Sequence, residues 1–200
     1  MKPEAVVFDF DGTLIDTREI KTANYVAAFE RVFSSSPSER QRVVDSCVRT
    51  SGANRFVQLR DTLDELRRST TPAQEQEWSR LYSSLNAASA GGIREFPSVR
   101  PLLRELRSLG CRVCAASGIL EEEFRRELDR RELIGLFDEV SGGDKPGFLR
   151  GLRERGAGAE GGVLFVGDTE YDRAAADQAG VGFFMVRDDR DLQALGARLR

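Results

Sequence analysis

In the second half of this 200-residue chain, short apolar segments alternate with amphipathic ones, and this alternation leaves few folds open. The apolar segments are typical of buried strands, and the segments between them have helical periodicity. The predicted strands are 111–116, 137–140, 163–166 and 181–186, and the predicted helices are 99–109, 121–132, 148–155 and 173–179. Strands that alternate with helices predict a parallel sheet with helices on both faces.

The N-terminal segment Ala5–Phe10 (AVVFDF) adds a further strand to this sheet. It is short and nearly all apolar, which is typical of a central strand buried on both faces. We therefore predict an α/β fold with a Rossmann-like parallel sheet core, formed by residues 1–16 and 93–200. The glycine-rich segment 156–162 is predicted to be a loop of this core.

Residues 17–92 contain helical patterns and no strand pattern, which predicts an inserted all-α cap domain of about four helices. Two helix starts are marked by local sequence. In Ser36-Pro37-Ser38-Glu39 and in Thr71-Pro72-Ala73-Gln74, a capping hydroxyl is followed by proline and, two residues later, by Glu or Gln. This is the pattern of a capping box with proline at the first helical position.

Four polar clusters lie at or just past the ends of four of the predicted strands. They are Asp9-Phe10-Asp11-Gly12-Thr13, Ser117-Gly118, Gly143-Asp144-Lys145-Pro146 and Gly167-Asp168-Thr169-Glu170-Tyr171-Asp172. Ligands of open parallel sheets bind at the carboxyl ends of the strands, so we expect these clusters to converge. Each cluster alone would be read as a turn, a loop, a solvated lysine or a helix cap. Four of them in this arrangement indicate one site.

The acidic side chains of these clusters indicate a divalent metal ion. Residues two apart in a strand share a face, so Asp9 and Asp11 can point into the same site. Asp168 and Asp172 add two carboxylates, and four converging carboxylates repel one another unless a cation joins them. The chain has no histidine, and a ligand set made of oxygen atoms alone suits Mg²⁺.

A positive charge and two hydrogen-bond donors complete the predicted site. Lys145 is one of only three lysines in a chain that otherwise uses arginine, and it offers a compact, mobile charge. The Ser117 hydroxyl and the Gly118 backbone N–H would join it in holding phosphate oxygens while negative charge builds. These groups predict a Mg²⁺-dependent phosphoryl-transfer enzyme, by preference a phosphatase acting on a small phosphorylated metabolite.

The four clusters resemble the motifs of the haloacid dehalogenase superfamily, and the resemblance runs through nearly the whole chain. Asp9-x-Asp11-Gly12-Thr13 is similar to the first motif, Ser117 to the second, Lys145 to the third, and Gly167-Asp168-Thr169-x-x-Asp172 to the fourth. The helical insertion between the first two motifs resembles the cap of the phosphoglycolate phosphatase and phosphoglucomutase branch.

The resemblance implies a mechanism in which Asp9 attacks phosphorus and forms an aspartyl-phosphate. Asp11 would protonate the leaving oxygen and then take a proton from the hydrolytic water. The Asp9 and Asp168 carboxylates and the Asp11 backbone carbonyl would hold Mg²⁺, and Asp172 would steady that shell through water or hydrogen bonds. The phosphoryl group would be bound by Ser117, Gly118 and Lys145. The cap would close over the site and select the substrate.

Single residues and the helical insertion discriminate among the alternatives within and outside this superfamily. Asp11 argues against a dehalogenase, which lacks this second aspartate, and Lys21 lies too early for the Schiff-base lysine of phosphonoacetaldehyde-type hydrolases. A sugar phosphomutase stays open, although Asp16-Thr17 leads to Lys21 where such enzymes carry a histidine. Response-regulator receivers are an alternative of a different class, because they too combine an acidic Mg²⁺ site, a phosphorylatable aspartate and a lysine. They lack, however, a large helical insertion after the first strand. A non-catalytic binding protein of the same fold is the remaining alternative, against which the complete set of motif residues argues.

The cap offers one candidate for substrate binding. Arg55 follows a predicted helix break at Ser51-Gly52 and could contact an anionic or hydroxylated part of the substrate. The alternative is a helix start capped by Ser51 or Asn54 with Arg55 in solvent. Lys21 is either an exposed helix residue or a second contact of this kind.

Composition indicates the cellular location of the protein and the partners that it does not bind. A net charge of −3 predicts neither nucleic-acid nor membrane binding, and no apolar run reaches the ~18 residues of a spanning helix. An odd number of cysteines and the absence of a secretory pattern predict a cytoplasmic protein with reduced thiols. Nothing in the pattern decides the oligomeric state.

Overall fold

The computed structural model describes residues 2–156 and 162–200. The chain divides into two compact units, an α/β unit of Met1–Asp16 and Glu95–Arg200 and a helical unit of Thr17–Arg94. Most of the predicted loop 156–162 lies outside the described residues. In the part of the chain that is described, no helix has both the length and the apolar character needed to cross a membrane.

The predicted helices and strands follow one another in the predicted order, but the helix over Asp189–Leu199 was not predicted, and the strand predicted at 137–140 lies at Glu139–Gly142. The elements are β1 (Ala5–Phe8), α1 (Arg18–Phe33), α2 (Pro37–Arg49), α3 (Arg55–Glu65), α4 (Pro72–Ser89), α5 (Val99–Ser108), β2 (Arg112–Ser117), α6 (Glu121–Arg130), β3 (Glu139–Gly142), α7 (Lys145–Arg155), β4 (Val163–Gly167), α8 (Glu170–Ala179), β5 (Gly182–Met185) and α9 (Asp189–Leu199). The predicted α/β fold class is confirmed, with a Rossmann-like sheet core and an additional helical unit.

The sheet is parallel, with the strand order β3-β2-β1-β4-β5. Its N-terminal strand is central, because Ala5 pairs with Arg112 on one side and with Val163 on the other. All four side chains of β1 are buried, which explains why this strand is apolar at every position. Ala5 and Val7 pack with apolar residues of α7 and α8, and alternation along the strand turns Val6 and Phe8 to the opposite face.

Two helices of the α/β unit begin earlier than predicted. The predicted segment 148–155 begins at Lys145, because Asp144 accepts a hydrogen bond from the Gly147 N–H (2.9 Å) and caps the helix. The predicted segment 173–179 begins at Glu170 for a similar reason. The predicted starts were wrong because apolar periodicity begins after a polar first turn. Both corrections move residues of the polar clusters into first helical turns.

The helical unit has an apolar core of its own. Its largest buried side chains include Tyr25, Phe29, Leu59 and Trp78, contributed by α1, α3 and α4. Both predicted capping boxes are present, at the start of α2 and at the start of α4. These starts could be predicted because a capping box is a local pattern that requires no tertiary contact.

Candidate active site

The four polar clusters lie at the carboxyl ends of β1, β2, β3 and β4. Asp9 follows the last residue of β1, Ser117 is the last residue of β2, and Lys145 begins the helix after β3. Asp168 follows the last residue of β4. Because all these strands are parallel, their carboxyl ends meet at the same edge of the sheet, as the sequence predicts.

Three buried charged groups form the centre of this edge. The Lys145 Nζ atom lies 2.7 Å from Asp9 Oδ1 and 2.7 Å from Asp172 Oδ1. None of the three residues is more than 2% exposed. Burial of this kind is tolerated only for ions that are paired and hydrogen-bonded. Lys145, predicted to bind phosphate, is thus held between two carboxylates.

Asp172 is held from its other side by Thr169. The Thr169 hydroxyl and backbone N–H donate hydrogen bonds to Asp172 Oδ2 (2.6 and 3.1 Å). The Asp172 N–H in turn donates to the Thr169 hydroxyl (3.1 Å), which completes a capping box at the start of α8. The capping box also explains why α8 begins at Glu170.

The carboxylates of Asp9, Asp168 and Asp172 form a group that fits a divalent cation. One oxygen from each residue lies within 4.8 Å of the others. Three carboxylates against one lysine leave an excess of negative charge, and oxygen ligands of this type suit Mg²⁺. The Asp11 carboxylate is not part of this group, so the residue's predicted metal contact depends on its backbone carbonyl.

The pKa values of Asp9 and Lys145 reflect their burial. Burial raises the pKa of the Asp9 carboxyl well above its usual range, and the attraction of Lys145 only partly offsets this rise. Nearby carboxylates raise it further; they belong to Asp172, Asp168 and Asp11. For Lys145, burial acts against the charge, but the two contacting carboxylates outweigh it and raise the pKa. The lysine is therefore charged, and the charge on Asp9 is costly until a further cation arrives.

Gly12 allows the first and fourth clusters to approach each other. Its φ angle is +78°, in the left-handed region that favours glycine. A Cβ atom at this position would lie 2.2 Å from Asp168 Oδ2, closer than any non-bonded contact allows. The hydroxyl of the adjacent Thr13 donates to Asp168 Oδ1 (3.4 Å). Gly12 leaves room for the Asp168 carboxylate, and Thr13 contacts it.

We expect Gly12→Ala to reduce turnover by about 100-fold, because the methyl group displaces the Asp168 carboxylate by about 1 Å or more. The measurement is the steady-state rate of phosphate release at saturating Mg²⁺. Gly135→Ala is the matched control, since a Cβ at Gly135 meets no described atom within 4 Å. Equal activity of the two variants would show that the close approach of Gly12 to Asp168 has no catalytic consequence.

Ser117 is buried at the end of β2. Its hydroxyl accepts a hydrogen bond from the Ile119 N–H (3.2 Å), and its carbonyl accepts one from the Gly143 N–H (2.8 Å). The second bond ties the loop after β2 to the loop after β3, which carries Lys145. The predicted phosphate contacts of Ser117 and Gly118 stay predictions.

One of the two alternatives from the sequence placed Arg55 in solvent at a helix start. Arg55 is 5% exposed and contacts α4 inside the helical unit, so that alternative is wrong. Its guanidinium donates to the Ser79 and Ser83 side chains and lies 5.5 Å from the centre of the Tyr82 ring. The predicted cap of α3 is confirmed for Asn54, which accepts from the Phe56 N–H.

Sequence reasoning assigned no role to Thr13 and Thr169, although both stood inside the polar clusters. For Thr169 a signal was available, because Thr-x-x-Asp is the same kind of pattern that predicted the two capping boxes of the helical unit. For Thr13 no local signal exists. Its contact with Asp168 joins two segments far apart in the sequence and depends on the folded sheet.

Comparison with known proteins finds a matching family, related sequences and structures of the same fold. The family model "Haloacid dehalogenase-like hydrolase" matches residues 6–186. A phosphoglycolate phosphatase of Aquifex aeolicus is 28% identical over 88% of this chain and 80% of its own length. A phosphoglycolate phosphatase of Cereibacter sphaeroides is 29% identical over 89% of this chain and 82% of its own length. A hydrolase structure from Pseudomonas syringae has the same fold, with a TM-score of 0.79, 18% identity and coverage of 96% of this chain and 90% of that one.

Proposed function

We propose, since this chain belongs to the haloacid dehalogenase-like hydrolase family and to its phosphoglycolate-phosphatase-like branch, that it hydrolyses a small phosphate monoester with Mg²⁺ through an aspartyl-phosphate. The observation that carries the proposal is the position of Asp9. It is buried at the end of the central strand, 2.7 Å from the Lys145 ammonium and next to the Asp168 and Asp172 carboxylates.

The chemistry begins with Asp9. One of its carboxylate oxygens would attack phosphorus, and the bond from phosphorus to the ester oxygen would break. Asp11, two residues further along and partly exposed, would donate a proton to the departing alcohol. Water would then attack the phosphorus of the aspartyl-phosphate and give its proton to Asp11. This step returns the Asp9 carboxylate and releases inorganic phosphate.

The remaining groups would bind Mg²⁺ and the phosphoryl group and orient them. The Asp9 and Asp168 carboxylates and the Asp11 carbonyl would hold Mg²⁺, which when bound would offset the negative charge of carboxylates and phosphate. Lys145, Ser117 and the Gly118 N–H would hold the phosphoryl oxygens. Asp172 would keep Lys145 in place, as its 2.7 Å contact with the ammonium supports.

Selection of the substrate is assigned to residues 17–92, which would act as a cap. Because Arg55 contacts Ser79, Ser83 and Tyr82 within the helical unit, a role in shaping the cap is better supported than direct contact with substrate. Its substrate contact and that of Lys21 stay predictions. A cytoplasmic location is proposed from the three cysteines, all of which are free and buried.

We expect phosphate release to require Mg²⁺. The purified protein is assayed with p-nitrophenyl phosphate and with sugar, glycolate and nucleotide monophosphates, in Mg²⁺ or in EDTA. EDTA should reduce the rate to background and excess Mg²⁺ should restore it, because the carboxylate group is uncompensated without the cation. A sugar-phosphate isomer formed without free phosphate would point to a mutase. Folded, Mg²⁺-binding protein that acts on no ester would point to a binding protein.

A further inference from the structure

Thr169 occupies a position that the proposed catalytic scheme leaves without a role. Its hydroxyl caps α8 and donates to Asp172 Oδ2, while Asp172 Oδ1 accepts from the Lys145 ammonium, which also contacts Asp9. We propose that Thr169 is a positioning residue that sets the orientation of Lys145 and Asp9 through the Asp172 carboxylate. The expected loss of activity rests on the proposed function. The expected change in the orientation of Lys145 rests on the structure alone.

The contacts on Asp172 leave its carboxylate little freedom. One oxygen accepts both the hydroxyl and the N–H of Thr169, and the other accepts the lysine ammonium. Asp172 is fully buried, and a Cβ at Gly167 would lie 2.6 Å from the Asp172 Cβ, so the β4 backbone packs closely against it. A carboxylate held at three points in a tight, buried place can hold a lysine in one orientation.

The chain itself contains a comparison for this arrangement. At the start of α4, Thr71 forms the same capping box with Gln74, whose Oε1 accepts from the Thr71 N–H and hydroxyl. That box is at the surface, since Thr71 is exposed. At α8 the box is built with the shorter aspartate, whose side chain is fully buried, and the second oxygen of that carboxylate accepts from Lys145. The hydroxyl therefore does more at α8 than cap a helix.

Removing the Thr169 hydroxyl takes one of two donors from Asp172 Oδ2 and leaves the buried carboxylate held by two donors in place of three. The Lys145 ammonium then loses part of its alignment and with it the fixed contact to Asp9. Residues that orient a catalytic group through a hydrogen bond commonly change activity by about 10–100-fold when they are replaced. The loss should be larger in kcat than in KM, because the alignment of Lys145 matters most while negative charge builds on the transferring phosphoryl group.

The test compares Thr169→Val with Thr71→Val, which removes the hydroxyl of the equivalent cap at the surface. Both variants should lower Tm, because both lose an N-cap, and Thr169→Val should lower it more, because it also takes a donor from a buried carboxylate. Only Thr169→Val should lower kcat, by about 10–100-fold. Thr169→Ser should restore kcat, since it returns the hydroxyl. Thr169→Gly keeps a good N-cap without the hydroxyl; it should fold well and still have low kcat.

A second measurement reads the geometry without any substrate. The chain has three lysines, so selective ¹⁵Nζ- and ¹³Cε-labelling of lysine gives three resolvable side-chain signals. In metal-free protein, the Lys145 signal should shift in Thr169→Val and Thr169→Gly and remain unchanged in Thr71→Val and Thr169→Ser. An unchanged Lys145 signal and kcat in Thr169→Val, with Tm lowered as in Thr71→Val, would reduce Thr169 to a helix cap and overturn the proposal. If the wild-type protein hydrolyses no ester, the proposed function fails, and the lysine signals still decide the positioning role.

Discussion

Asp9→Asn is expected to lower kcat for phosphate release by at least about 10⁴-fold, because the neutral amide cannot form the covalent intermediate. The variant should still fold. The raised pKa of Asp9 means that its charge is costly in the metal-free native state. A neutral side chain therefore removes a cost that grows as the pH rises from the unfolded-state pKa of the carboxyl to its higher native pKa. Near neutral pH and in EDTA, Asp9→Asn should therefore melt at or above the temperature of the wild-type protein.

The measurement joins steady-state phosphate release with acid quenching of enzyme mixed with ³²P-labelled substrate. Labelled protein should form with the wild-type enzyme and be absent with Asp9→Asn. Asp129→Asn, an exposed substitution on α6, is the control and should behave as the wild-type protein does. Labelled protein in Asp9→Asn would place the nucleophile elsewhere in the chain.

Lys145→Met is expected to lower the free energy of unfolding by about 3–5 kcal/mol, the usual consequence of removing one partner from a buried ion pair. The Lys145 ammonium contacts both Asp9 and Asp172. Without it, the two carboxylates remain buried beside each other and have lost the positive charge that they share. The deficit should be greater at pH 8 than at pH 5, because the raised pKa of the Asp9 carboxyl allows its protonation to relieve the repulsion at lower pH. Urea denaturation in EDTA measures this free energy.

Two controls separate charge from packing in Lys145→Met. Lys2→Met removes an exposed lysine and should change the free energy of unfolding by less than about 0.5 kcal/mol. The double variant Asp9→Asn with Lys145→Met should recover part of the loss, because only Asp172 then lacks its cation and it keeps the Thr169 donors. A deficit that is the same at both pH values and in the double variant would mean that lost packing, not charge, is responsible.

The order of the strands and the edge of the sheet that carries the site could be predicted from the sequence, because both depend on patterns within a few residues. The position of β3 was predicted two residues too early. The apolar run at β1 and the polar residues that follow it need no knowledge of distant segments. The starts of α7 and α8 were predicted three residues late, since their first turns are polar and only the caps at Asp144 and Thr169 mark them.

Side-chain partners could not be predicted in the same way. The sequence indicated that Lys145 and Asp9 share a site, but their direct contact depends on how β1 and the start of α7 are placed in the folded sheet. The burial of Arg55 against α4 is a tertiary property of the same kind, because an arginine at a helix start is typically solvated. Pattern therefore locates the site, and folded geometry decides which groups within it meet.

The central place of β1 also determines when the site can exist. Its neighbours in the sheet are β2 and β4, and the register joins Ala5 to Arg112 and to Val163. Such non-local pairings form slowly, because long loops must close before the contacts can compensate for the lost entropy. The helical unit Thr17–Arg94 is one continuous segment and can complete its core first. During synthesis, the strand that leads to Asp9 is thus made before both of its neighbours and lacks the second of them until β4 has left the ribosome.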